Sequence, residues 1–130
     1  MSALKIRVCA IISLAVAGDY STKKGYLVTH DGTTATISAS ATARANGVIL
    51  DGGIDANGKA TIGLLGGIEG TIPMKTSGII AAGAFVQQAA DGTILTDAGT
   101  GARVIVGQAV ESAVSGDIIE VVPFLPQIAS

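Results

Sequence analysis

The sequence predicts an all-β protein, a small β-sandwich or barrel built from two pseudo-repeated β units, with a long N-terminal strand and an extended C-terminal tail. Three observations predict it. Short segments alternate apolar and polar residues with a period of two. Asp-Gly, Asn-Gly and Ser-Gly pairs punctuate those segments, and these are hairpin signals because Gly and Asn reach positive φ cheaply. A third feature is an order of motifs that occurs twice along the chain.

The first element is read from "MSALKIRVCAIISLAVAGDY". Lys5 and Arg7 ahead of an apolar run that ends in Ala15-Val16-Ala17 suit a secretory signal. The competing pattern is strict alternation, with Leu4, Ile6, Val8, Ala10, Ile12, Leu14 and Val16 on one face. A secretory core has no reason to alternate and a half-buried strand does, so residues 4–16 are expected to be a strand, with 1–17 as a strand or arm. The run is also shorter than the roughly 20 apolar residues a membrane-spanning helix takes.

The expected strands that follow are 25–30, 34–38, 47–50, 60–65, 67–74, 84–88, 93–96, 103–110 and 117–122. Turns fall at His30-Asp31-Gly32, Asp51-Gly52-Gly53, Ala56-Asn57-Gly58, Ala90-Asp91-Gly92 and Ser115-Gly116-Asp117. The stretch "SASATARA" at 38–45 has no large apolar face to bury as a helix and is read as a loop. In "VVPFLPQIAS", Pro123 and Pro126 are expected to stop any ladder and favour extended backbone. Phe124, at the end of the domain, and Leu125 and Ile128, on the tail 125–130, would then lie on a segment without its own hairpin partner; this tail or the N-terminal strand is expected to reach a neighbouring subunit, the alternative being a tail folded back over its own core.

The duplication is visible in three pairs of segments. "GYLVTHDGTTATIS" resembles "GAFVQQAADGTILTD", "ARANGVILD" resembles "ARVIVGQAVE", and "GKATIGLLG" resembles "GDIIEVVPF". The order is the same and the spacing nearly constant, from Gly25 to Gly83, Arg44 to Arg103 and Gly58 to Gly116. The repeats are 25–66 and 83–124. Neither is large enough to bury a core alone, so residues 18–124 are expected to form one domain.

Composition narrows the function. The 130 residues carry 8 Lys and Arg against 10 Asp and Glu, a net charge of -2, which does not make a phosphate-neutralising surface. The charged fraction is 14%, against about 25% in ordinary soluble domains. Gly supplies 18 residues, about twice the usual share, and there is no Trp. So little charge is read as a sign that other chains cover part of the surface, the alternative being a Gly/Ala-rich monomer with a bland surface. Cys9 is the one cysteine and rules out an intrachain disulfide.

Reactive chemistry is sparse. His30 is the one histidine and sits in a turn without an evident orienting partner. Asp31, Asp51 and Asp91 precede Gly, where a carboxylate caps its own backbone. "DGGIDANG" at 51–58 lacks the length and the closing Glu of an EF-hand loop. "GLLGGIEG" is followed by no Lys-Ser/Thr and no helix, so it is no phosphate loop. No enzyme, cofactor or metal is expected.

The segment "GAFVQQAADGTILTDAGTGARVIVGQAVESAVSGDIIEVVPF" resembles the capsid cement, or head decoration, proteins of tailed bacteriophages. The resemblance rests on Ile80 to Val86, on the Ala89 to Gly92 turn and on Ile105 to Val121, and it extends through "GYLV" and "NGVILD" in the first half. It covers residues 17–124. It implies a non-enzymatic virion protein, made in the host cytoplasm, that binds the outer face of the expanded capsid between capsomers and stabilises the head. The implied partners are the major capsid protein and further copies of the chain, as a homotrimer or a dimer. The alternative is a secreted or surface β-sandwich binding module for glycans or adhesion, which the scarcity of aromatic platforms disfavours. Candidate interface residues are Leu4, Ile6, Val8, Arg44, Arg103, Phe124, Leu125 and Ile128. The two Arg residues are read either as pairing with acidic groups of a partner or as exposed loop side chains.

Overall fold

A computed structural model describes residues 11–54, 58–66 and 70–130. It contains ten strands: β1 Ile11–Val16, β2 Leu27–His30, β3 Thr34–Ile37, β4 Gly47–Asp51, β5 Ala60–Leu64, β6 Ile72–Lys75, β7 Phe85–Gln88, β8 Ile94–Thr96, β9 Arg103–Ala109 and β10 Ile118–Ala129. Residues 4–10 and 67–69, the starts of two expected strands, lie outside the described residues. The first five strands close into a barrel in the order β1-β3-β2-β4-β5. The second five form a curled sheet in the order β6-β10-β9-β7-β8. The chain is therefore all-β, and the alternation read along the sequence sets the strands.

The two sheets are copies in connectivity. β2 pairs antiparallel with β3 and β4, and β7 pairs antiparallel with β8 and β9. β5 lies antiparallel between β4 and β1, and β10 lies antiparallel between β9 and β6. The local hydrogen bonds repeat as well. Gly25 N–H reaches Ile49 O at 2.8 Å, and Gly83 N–H reaches Ala109 O at 2.8 Å. Both glycines have φ near +87°, a conformation that a Cβ makes costly. The Asp-Gly turns close as their chemistry predicts. Asp31 Oδ1 accepts the N–H groups of Thr33 and Thr34, and Asp91 Oδ1 accepts that of Thr93.

The copies differ at one seam. In the first, β1 runs parallel to β3 through Ala15–Thr34 and Val16–Ala35 and closes the barrel. In the second, β6 and β8 are joined by a single parallel bridge, Thr76 to Ile94. The first unit occupies the place of the missing ladder. Lys75 N–H donates to Gly25 O at 2.9 Å, and Leu27 N–H donates to Gly92 O at 2.7 Å. Leu27 and Val48 enter the second unit's core beside Met74, Val86 and Ile94, and all five are fully buried. A smaller core of Leu14, Val28, Ala35, Ile49 and Ile62 fills the closed barrel. Burying a side chain such as Leu27 contributes about 1.5–3 kcal/mol, so this seam holds the two units together.

The C-terminus corrects the sequence reading. Pro123 and Pro126 do not end the ladder, because β10 continues to Ala129 and pairs Gln127, Ile128 and Ala129 with Ile105, Val104 and Arg103. Between Pro123 and Gln127 the register shifts, with β10 taking four steps where β9 takes two. Such a bulge accommodates residues that have no N–H to give. Residues 125–129 are thus part of the sheet and not a tail without a ladder partner.

Candidate functional site

Large apolar side chains remain exposed on the second unit. The antiparallel register places Phe85 opposite Gln108 and Gln108 opposite Val122, one row across β7, β9 and β10. Phe85 is 49% exposed and Val122 is 37% exposed. Phe124 extends the row, its ring centroid 5.9 Å from that of Phe85. Val110, whose N–H reaches Glu120 O at 3.3 Å, and Ile118, opposite Lys75, are exposed on the same sheet. Polar groups edge the face. Gln108 Nε2 donates to Gly83 O at 3.0 Å and Thr71 Oγ1 donates to Glu120 Oε2 at 3.1 Å.

Phe124, Leu125 and Ile128, candidate interface residues by sequence, lie on a strand and not on a tail. Phe124 is half-buried, while Leu125 and Ile128 are both largely exposed. Leu125 lies against Gly66, where an added Cβ would fall 2.9 Å from Leu125 Cδ1. Leu4, Ile6 and Val8 lie outside the described residues.

The two Arg residues, equivalent in sequence, have different surroundings. Arg44 is exposed in the loop before β4. Arg103 is not an exposed loop residue. It opens β9, is 9% exposed, and forms an ion pair through Nε with Asp97 Oδ1 of its own chain. Its Nη1 also donates to Gly101 O at 3.0 Å. The Arg103 hydrogen bond is the largest influence holding the Asp97 carboxyl below the usual range, followed by the Gly99 N–H. The reason for the difference is the start of β9, which begins well before its Gly107, whereas β4 begins at the counterpart Gly47.

His30 serves the fold. Asn46 Oδ1 accepts its backbone N–H at 2.9 Å, Asn46 Nδ2 donates to its carbonyl at 3.2 Å, and its Nδ1 accepts the Gly32 N–H at 3.2 Å. Asp51 Oδ1 accepts Gly53 N–H at 2.9 Å, a turn-capping role, and residues 55–57 of the "DGGIDANG" stretch lie outside the described residues. No three His, Cys, Asp or Glu side chains gather among the described residues. An open groove of about 460 Å³ runs past Ile79, Ile80, Ala113 and Val114. Its floor is the Ile80–Ala113 bridge, and Asp117 Oδ2 beside it is engaged by Val114 N–H at 3.0 Å.

Sequence reasoning missed Phe85, Gln108 and Val122. A signal was present. Phe85 shares its alternation phase with Gln87, and Val122 shares its phase with Glu120, so both are apolar residues on the polar phase of their strands.

The fold and surface define a small two-unit β-barrel protein with an exposed apolar face on its second sheet. Comparison with the sequence models of known protein families finds no match, and no curated protein matches the chain.

Proposed function

We propose that this chain is a structural, non-enzymatic virion protein that binds the outer face of a tailed-phage capsid between capsomers, associates with further copies of itself, and stabilises the head. The observation that carries the reading is the number of large apolar side chains left on the surface of a chain with so little charge. Ten such side chains are exposed among the described residues, including Ile79, Phe85, Leu125 and Ile128. The charged fraction is 14% and the mean hydropathy is +0.58. Surfaces of this kind are covered in assemblies. The main motifs that resemble the cement proteins run through β7, β9 and β10, the sheet that carries the exposed row, and the weaker matches "GYLV" and "NGVILD" fall on β2 and β4 of the first unit. A bridge across capsomer seams needs contact area and many repeated weak sites, which raise effective affinity together.

Sedimentation of the protein with emptied, expanded phage heads tests the proposal. The expected result is saturable pelleting with the heads. A chain that stays in the supernatant at every concentration removes the capsid role and leaves a surface binding module as the better reading.

A further inference from the structure

The chain carries three Asp-Gly pairs, Asp31-Gly32, Asp51-Gly52 and Asp91-Gly92. In each the carboxylate caps the turn. Asp31 Oδ1 accepts the N–H groups of Thr33 and Thr34, Asp51 Oδ1 that of Gly53, and Asp91 Oδ1 that of Thr93. The glycines are not alike. Gly52 is buried, and a Cβ on it would overlap the Tyr20 carbonyl. Gly92 is buried in the seam between the units, where its carbonyl accepts the Leu27 N–H at 2.7 Å and a Cβ would meet Ile37 Cγ2 at 2.7 Å. Gly32 is exposed, and a Cβ on it would meet nothing within 4 Å. Its N–H donates to His30 Nδ1 at 3.2 Å. Accepting a backbone N–H requires that nitrogen to be unprotonated, so the imidazole meets Gly32 as a base. His30 is the one histidine of the chain, so the other two turns lack such a base.

We infer that Asp31-Gly32 is a self-modification site, where the aspartate rearranges to isoaspartate with His30 as general base. The Gly32 nitrogen attacks Cγ of the protonated Asp31 carboxyl and closes a cyclic imide. His30 Nδ1 takes the Gly32 N–H proton and returns it to the departing hydroxyl, which leaves as water. The N–Cγ bond forms, the Cγ–OH bond breaks, and nothing is oxidised or reduced. Water then adds to the ring carbonyl that was the main-chain carbonyl of Asp31, and the bond from that carbon to the Gly32 nitrogen breaks. The main chain now runs through the former side chain, and the old carbonyl carbon becomes a free carboxylate. Closing the ring swings the Asp31–Gly32 peptide, so it needs room around the glycine. The Thr34 and Thr33 N–H groups hold the Asp31 carboxyl below its usual range and keep the reactive protonated form scarce. The Thr93 hydroxyl does the same at Asp91, so that brake does not separate the sites. The freedom of Gly32 and the base on its N–H do. Asn46-Gly47, open to the same chemistry, is held shut. Its carboxamide is engaged by the His30 backbone, and a Cβ on Gly47 would meet Ile62 Cγ2 at 2.7 Å. The product adds one methylene to the backbone and withdraws the Asp31 caps, which loosens the β2–β3 hairpin beside the His30–Ala35 pair. None of this depends on the capsid role.

Peptide mapping of the full chain after weeks in warm neutral buffer tests it. Isoaspartate is read at each site by mass spectrometry and by methyl transfer from a protein isoaspartyl methyltransferase. It should accumulate at Asp31 at least about tenfold faster than at Asp51 or Asp91. In urea the three rates should converge, because the fold makes the difference. His30→Asn keeps an acceptor for the Gly32 N–H but no base, and should slow the reaction at Asp31 about tenfold or more. Matching circular dichroism and melting curves would show that the variant keeps the fold, and in urea it should react as fast as the unaltered chain. A rate at Asp31 no greater than at the other two sites overturns the inference. So does a folded His30→Asn that reacts as fast as the unaltered protein, or a slowing that persists in urea, where no turn positions the base. His30→Ala, which removes base and acceptor together, should also slow the reaction. A faster one would make the His30 contact a protective cap and overturn its role as base.

Discussion

The side chain of Gln88 accepts the N–H of Ala45 at 2.8 Å, tying β7 of the second unit to the loop that leads into β4 of the first. The same carboxamide donates through Nε2 to Ala43 O at 2.9 Å and to Ser40 O at 3.1 Å. Gln88 is fully buried, and Ala45 is 1% exposed. One side chain thus satisfies three backbone groups of a loop that has no ladder of its own.

Replacing Gln88 tests that arrangement. Gln88→Ala leaves a buried donor without its acceptor and should cost about 2–3 kcal/mol of unfolding free energy, read by urea denaturation. Gln88→Glu should be no better, because a carboxylate accepts from Ala45 but cannot donate to the two carbonyls. Amide exchange at Ala45 should speed up in both variants before the sheets open, which separates loop release from global unfolding.

Gly25 and Gly83 offer a matched pair. Their φ values agree, so alanine imposes the same left-handed strain of about 1–2 kcal/mol on each. Only at Gly25 does the new Cβ also press on the other unit, 3.0 Å from Lys75 N. Gly25→Ala should therefore lower the melting temperature clearly more than Gly83→Ala. Equal losses would mean that the seam yields without cost.

Asp97 and Arg103 should make the protein acid-sensitive. The Asp97 carboxyl is held below its ordinary value of 3.8, and those of Asp31 and Asp91 are also lowered, by backbone N–H groups of Thr34 and Thr33 and by the Thr93 hydroxyl respectively. A carboxyl whose folded value is depressed adds stability that is fully present above its unfolded value and is lost as pH falls through the folded one. Melting temperature should be flat above about pH 5 and fall below about pH 4. Asp97→Asn should shrink that acid-linked loss. At neutral pH it should cost about 1–3 kcal/mol, between an exposed and a buried ion pair, because Arg103 stays buried without its partner.

The end of β10 should matter to the fold. Deleting residues 124–130 strips the partners of Val104 and Arg103 and bares the start of β9. The expected outcome is a lower melting temperature and faster amide exchange at Arg103 to Ile105. Unchanged exchange there would show that β9 holds without its neighbour.

Much of this architecture was legible in the chain. The short apolar and β-branched runs Leu27-Val28-Thr29-His30 and Ile118 to Val122, bounded by glycine turns, mark strands. Asp31-Gly32 and Asp91-Gly92 mark turns because the carboxylate and the glycine act within two or three residues. The prolines of β10 were misleading. Their local effect is to break a ladder, but a bulge absorbs them and pairing resumes at Gln127.

Strands, turns and the duplication follow from the order of residues, since each depends on neighbours along the chain. Tertiary structure alone decided which copy of each surface is buried. Leu27 and Phe85 occupy the same place in the same local pattern, yet one lies in a core and the other faces water. Arg44 and Arg103 diverge in the same way, one exposed and the other paired with Asp97. The cause is the open seam between β6 and β8, which takes the first unit's row and leaves the second unit's row uncovered. That choice depends on residues some sixty positions apart meeting in space, and a local pattern shared by both copies carries no record of it.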